Sequence, residues 1–114
     1  MTDGPTHSDS RQAAYEALYA KRITLARYLQ LLLTKSDEDP DFVRIAYGRG
    51  KIELDLTMAL ISELDSSLPM QFPDADTINR MRNGVAALAQ LVTLNGALNE
   101  LAAAADKVIS TWPN

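Results

Sequence analysis

The chain has 114 residues, 46% of them hydrophobic, a formal net charge of −4 and no cysteine. That is the size of one domain with a modest core, too apolar for a disordered chain, and without means for disulfides, thiolate catalysis or cysteine-ligated metal. The negative balance argues against nucleic-acid binding, which depends on neutralising phosphates, and no run approaches the roughly eighteen apolar residues that a membrane span needs.

Residues 1–9 are small and polar, with Gly4 and Pro5, and read as a disordered N-terminal tail ahead of a single helical bundle domain over 10–114. The opening "MTDGPTHSDS" has no apolar stretch of a secretory signal. With the missing cysteines this fits a cytoplasmic protein. Ser8, Asp9 or Ser10 is placed to cap a first helix over 10–34. Its apolar stripe is read from Tyr15, Leu18, Arg22, Leu25, Leu29 and Leu32, with Tyr19, Ile23, Ala26, Gln30 and Leu33 alongside. In "KSDEDPDF", Asp39 is a good N-cap and Pro40 suits the first helical position, so a second helix is expected over 40–67. Its inner row is read as Phe42, Ile45, Arg49, Ile52, Leu56, Ala59 or Leu60, and Leu64.

Inside that row lies Gly48-Arg49-Gly50-Lys51, which raises the question of a phosphate-cradling loop. The loop template needs four residues between its glycines, Ser or Thr after the lysine, and a preceding strand. Here one residue separates the glycines, Ile52 follows Lys51, and the three-four rhythm passes through unbroken. Two helical glycines are therefore expected, explained by close approach of a neighbouring helix or, failing that, a kink.

After "DSSLPMQFPDAD", a proline-stiffened loop carrying Met70 and Phe72, residues 75–111 keep a strict three-four spacing from Met81 to Trp112. That favours one continuous helix with Asn95 on its buried seam and an alanine-rich overhang in need of a partner. Asn95-Gly96 is the competing signal, a good helix stop that would make the helices four. The expected architecture is thus all-α, an antiparallel bundle of three helices, or four if the chain turns there. The seam and the overhang together suggest a homodimer or a stable heterocomplex.

Few residues suit catalysis. The one histidine, His7, lies in the tail; Glu53-x-Asp55 and Glu63-x-Asp65 place their carboxylates on nearly opposite sides of a helix. These acids read as a solvated face paired with Arg49 and Lys51, and no metal or cofactor is expected. Arg22 and Arg49 fall in apolar rows, where a charge implies an anionic partner or a stem that reaches solvent. "ALYAKRITLARYLQLLLTKSDEDPDFVR" resembles the small helical chorismate mutases, which carry a leucine-rich first helix with internal arginine, then lysine, a proline-containing turn and an Asp-x-x-Arg-Glu box. The resemblance implies an enzyme acting on a dianionic small molecule, with Arg22, Lys35, Asp41 and Arg44 in the family's roles. Ile45 stands where the box has glutamate.

The reading preferred from composition is a non-catalytic module that binds a partner protein, most concretely a bacterial immunity or antitoxin protein covering a toxin's active site. Cations Arg11, Lys21, Arg22, Arg27 and Lys35 precede the acidic turn formed by Asp37, Glu38, Asp39 and Asp41. That turn would meet a basic cleft, and Met70 and Phe72 would supply apolar anchors.

Overall fold

The structure is a computed structural model and describes residues 7–66 and 72–112. Four helices fill it: α1 (His7–Thr34), α2 (Pro40–Asp65), α3 (Ala75–Thr93) and α4 (Leu98–Ile109), with no strand among the described residues. The all-α expectation holds, in its four-helix form. None of these helices is long and apolar enough to cross a membrane.

Helix α1 begins at His7, so Ser8, Asp9 and Ser10 lie within it and do not precede it as caps. Asp39 caps α2 as expected, its carboxylate accepting from the Phe42 N–H at 3.2 Å, with Pro40 opening the helix. Asp74 does the same for α3 at the Thr77 N–H, 2.8 Å away.

The expected long third helix is in fact two, and the break is at Asn95-Gly96. Asn95 is left-handed, with φ 54°. Its N–H donates to the Val92 carbonyl and the Gly96 N–H donates to the Leu91 carbonyl, the paired bonds of a Schellman ending. Asn95 is exposed at this turn, so it marks no buried seam. The alanine-rich segment does not overhang either: as α4 it folds back onto α3, with Gly84 beside Val108. Both observations behind the expected dimer are therefore replaced by an intramolecular hairpin.

Helix α1 lies at the centre and touches all three others, while α2 and α3 do not touch each other. Arg11 reaches the Leu64 carbonyl, Lys21 meets Glu53, and Tyr28 and Leu29 meet Gly50, so α1 and α2 are antiparallel. Buried Leu18, Leu25, Tyr28, Leu32, Met81, Leu88, Leu101 and Val108 form the shared core. Gly50 marks the close approach of α1, where an added Cβ would stand 2.8 Å from Leu29 Cδ2 and force that buried side chain to shift. At Gly48 nothing lies within 4 Å. The helix runs unbroken through both, which excludes the phosphate loop and supports the close-approach explanation for one glycine of the two.

Candidate functional site

Of the row expected to face inward on α2, Leu64 is buried and Leu60 packs against the core, but Phe42, Ile45, Arg49, Ile52 and Leu56 face outward. The buried residues of α2 are Val43, Gly50, Glu53, Thr57, Ile61 and Leu64. Ile45, Ile52 and Leu56 are instead 57%, 65% and 47% exposed, and Phe42 is 37% exposed. The reason lies in side-chain size and neighbours. The face against α1 needs a glycine at the close approach and a glutamate opposite Lys21, which interrupt its apolar rhythm although Val43, Leu60, Ile61 and Leu64 still pack inward. Hydrophobic periodicity consequently finds the wrong side. Large apolar side chains aligned on a surface helix are a contact face more often than an accident.

This stripe runs beside α4 and opens into a recess of about 140 Å³. Phe42, Ile45 and Ala46 form its α2 wall, Ala102 and Ile109 its α4 wall, and Tyr28 of α1 lies beneath. Arg49 and Asp106 bridge the rim at 3.1 Å, both about half exposed. Tyr28 is 1% exposed, and its hydroxyl makes no hydrogen bond among the described residues. Burial, reinforced by the Asp106 carboxylate, pushes its pKa up to about 12; the nearby Arg49 opposes this weakly.

The acidic turn continues the same surface. Asp37, Glu38, Asp39 and Asp41 are all exposed. A second, shallower recess lies between Glu38, Asp39 and Phe42 on one side and Ala97, Leu98 and Asn99 on the other. Phe42 thus joins the acidic end to the apolar stripe. Lys35 pairs with Glu38 at 3.7 Å and Arg44 with Asp41 at 3.8 Å, so part of the acid is balanced locally.

Of the expected apolar anchors, Met70 lies outside the described residues. Phe72 is half-buried against the core, with the Arg11 guanidinium 5.9 Å from its ring centroid. The anion-binding candidates do not gather at one point. Arg22 stacks over Tyr19 at 5.3 Å, and Lys35 lies thirteen residues on, just past the end of α1 and so roughly 20 Å away. Arg44 is committed to Asp41 on the exposed side of α2, and Arg49 to Asp106.

The charge that is truly inside is Lys21, one position from the arginine singled out by sequence. It is fully buried, 2.5 Å from Glu53 and 2.6 Å from the Trp112 carbonyl that accepts its proton. Burial lowers its pKa, and the Glu53 carboxylate partly restores it. Glu53 therefore leaves the solvated face assigned to it, while Asp55 keeps the expected pairing with Lys51 at 2.7 Å. Both side chains are buried, and the pair ties α1, α2 and the segment after α4 together.

No protein-family model, curated protein or solved structure matches the chain. Its class is defined by its own geometry: a four-helix bundle whose second helix keeps an apolar stripe, Ile45, Ile52 and Leu56, exposed on its outer side.

Proposed function

We propose that the chain is a non-catalytic module that binds a partner protein through the outer face of α2, in the manner of a small immunity or antitoxin-type inhibitor or adaptor. The observation that carries this reading is the exposure of Ile45, Ile52 and Leu56 on one helix face. Such a face lowers its free energy when an apolar surface covers it, at about 25 cal/mol for each Å² removed from water. Phe42 links it to the acidic turn, which steers a basic partner and fixes its orientation. An apolar centre with a charged border is the usual composition of a specific interface.

Affinity purification from the native cell tests the reading. A stoichiometric protein partner is expected on the wild-type chain, weakened by Asp37→Lys with Asp41→Lys. Neither residue is the cap of α2, so the fold is retained. Recovery of the chain alone, with sedimentation showing a monomer at high concentration, would contradict it. Recovery as a homodimer would assign the face to a second copy instead.

A further inference from the structure

The recess beneath the rim of Arg49 and Asp106 has a chemistry more specific than an apolar dent. At about 140 Å³ it is close to the roughly 150 Å³ that accommodates a benzene ring. Its walls are aliphatic and aromatic and include Tyr28, whose hydroxyl lies near the lining residues Asp106 and Arg49 and has no hydrogen-bond partner among the described residues. An aliphatic guest would fill the walls and leave that hydroxyl desolvated. An anionic guest would approach the Asp106 carboxylate, which already lies near the hydroxyl. The guest that fits both constraints is a neutral six-membered ring with one hydroxyl. At the rim the planar Arg49 guanidinium, 57% exposed, is placed to cover a ring face.

The source of such a ring is indicated by where the recess opens. Its α2 wall, Phe42 and Ile45, belongs equally to the exposed stripe, so an object seated on the stripe passes over the mouth. We propose that the recess is a socket for one tyrosine side chain of the partner protein, hydrogen-bonded through its phenol to the Tyr28 hydroxyl and covered by Arg49. This rests on the protein-binding reading, and it assigns the partner an aromatic anchor with basic residues about one helix turn or more away, facing Asp37 to Asp41. Tyrosine is among the residues most often found as such anchors.

The test uses p-cresol, the tyrosine side chain as a free molecule, titrated into the isotopically labelled whole chain and followed by amide chemical shifts. Shifts are expected to cluster at Ala46, Arg49, Ala102 and Ile109, with a Kd on the order of 1 mM for so small a ligand. Tyr28→Phe, which keeps the ring and the fold, is expected to weaken p-cresol about fivefold and to leave toluene unchanged. With the partner in hand, one of its tyrosines changed to Phe should lose about fivefold against the wild-type chain and nothing further against Tyr28→Phe. Absence of shifts at the recess, or an equal effect of Tyr28→Phe on p-cresol and toluene, overturns the socket whether or not a partner exists. If p-cresol binds but no partner tyrosine couples to Tyr28, the tyrosine assignment is overturned and the site belongs to a free phenol.

Discussion

Lys21 and Glu53 place two opposite charges in a small core, 2.5 Å apart and both buried. Bringing them there costs several kcal/mol of hydration per ion, which their attraction and the Trp112 carbonyl offset. Removing one partner should therefore be far worse than removing both. Lys21→Met is expected to lower unfolding free energy by about 3–5 kcal/mol, whereas Lys21→Met with Glu53→Met should recover most or all of that loss. Urea denaturation of the two variants decides it; equal destabilisation would mean the charges are not mutually dependent. Sequence placed the internal cation at Arg22, because Lys21 shares its row with Ala14, Ala17 and Thr24, which carry little hydrophobic signal. One residue is a rotation of about 100° on a helix, enough to move a charge from rim to core.

Tyr28 supplies a pH signature at the same scale. Its pKa is raised from the ordinary 10.0 to about 12, so between these values the folded chain holds a proton that the unfolded chain has lost. The resulting stability is fully present below pH 10 and is lost as pH rises towards 12, by an amount on the order of 1–3 kcal/mol. Comparing wild type with Tyr28→Phe isolates this contribution, because the lowered pKa of Lys21 acts equally in both. The wild type should lose its excess stability over that range and the variant should not. Parallel curves would show that the fold does not hold the Tyr28 proton.

At the scale of the element, the two glycines of α2 separate cleanly. Gly48 has open space where a Cβ would stand, so Gly48→Ala should stabilise by about 1 kcal/mol through helix propensity alone. At Gly50 the same change drives a Cβ to 2.8 Å from Leu29 and 3.3 Å from Tyr28, both buried. Gly50→Ala should destabilise by about 1–2 kcal/mol, the overpacking exceeding the propensity gain. Thermal melts of the pair check the assignment, and a stabilising Gly50→Ala would show that α1 and α2 are less closely packed.

Helix identity and most boundaries were legible in the residues: Asp39-Pro40 begins α2 and Ala75 opens α3 where capping chemistry puts them. Two features were not. The interruption at 94–97 spans four residues, near one helical turn, so the apolar rhythm re-enters α4 almost in phase and mimics continuity. Ala97, the N-cap of α4, makes no side-chain capping bond and gives no sign of a restart. The inward face of α2 was hidden because close packing there selected glycine, glutamate and threonine. Of the candidate site, the acidic turn was legible from charge alone. The recess was not, since it joins Tyr28, Arg49 and Ala102 from three separate helices.

For the whole molecule, α4 determines what is left uncovered. Its twelve residues extend roughly 18 Å, against roughly 39 Å for the twenty-six of α2. It shields the inner part of the α1–α2 junction, anchors at Arg49–Asp106, and leaves the outer stripe of α2 in water. Stability and recognition are thereby divided between the two sides of one helix: Val43, Gly50, Thr57 and Leu64 hold the bundle, and Ile45, Ile52 and Leu56 remain available. The most direct measurement of this division is a calorimetric titration of the captured partner with Ile45→Asp, Ile52→Asp. The added negative charge would favour a basic partner, so any loss comes from the apolar contact. Because these side chains hold no core, the variant should keep the melting temperature of the wild type to within a few degrees while its affinity falls by about a hundredfold or more. Unchanged affinity, or a variant that no longer folds, would contradict the account.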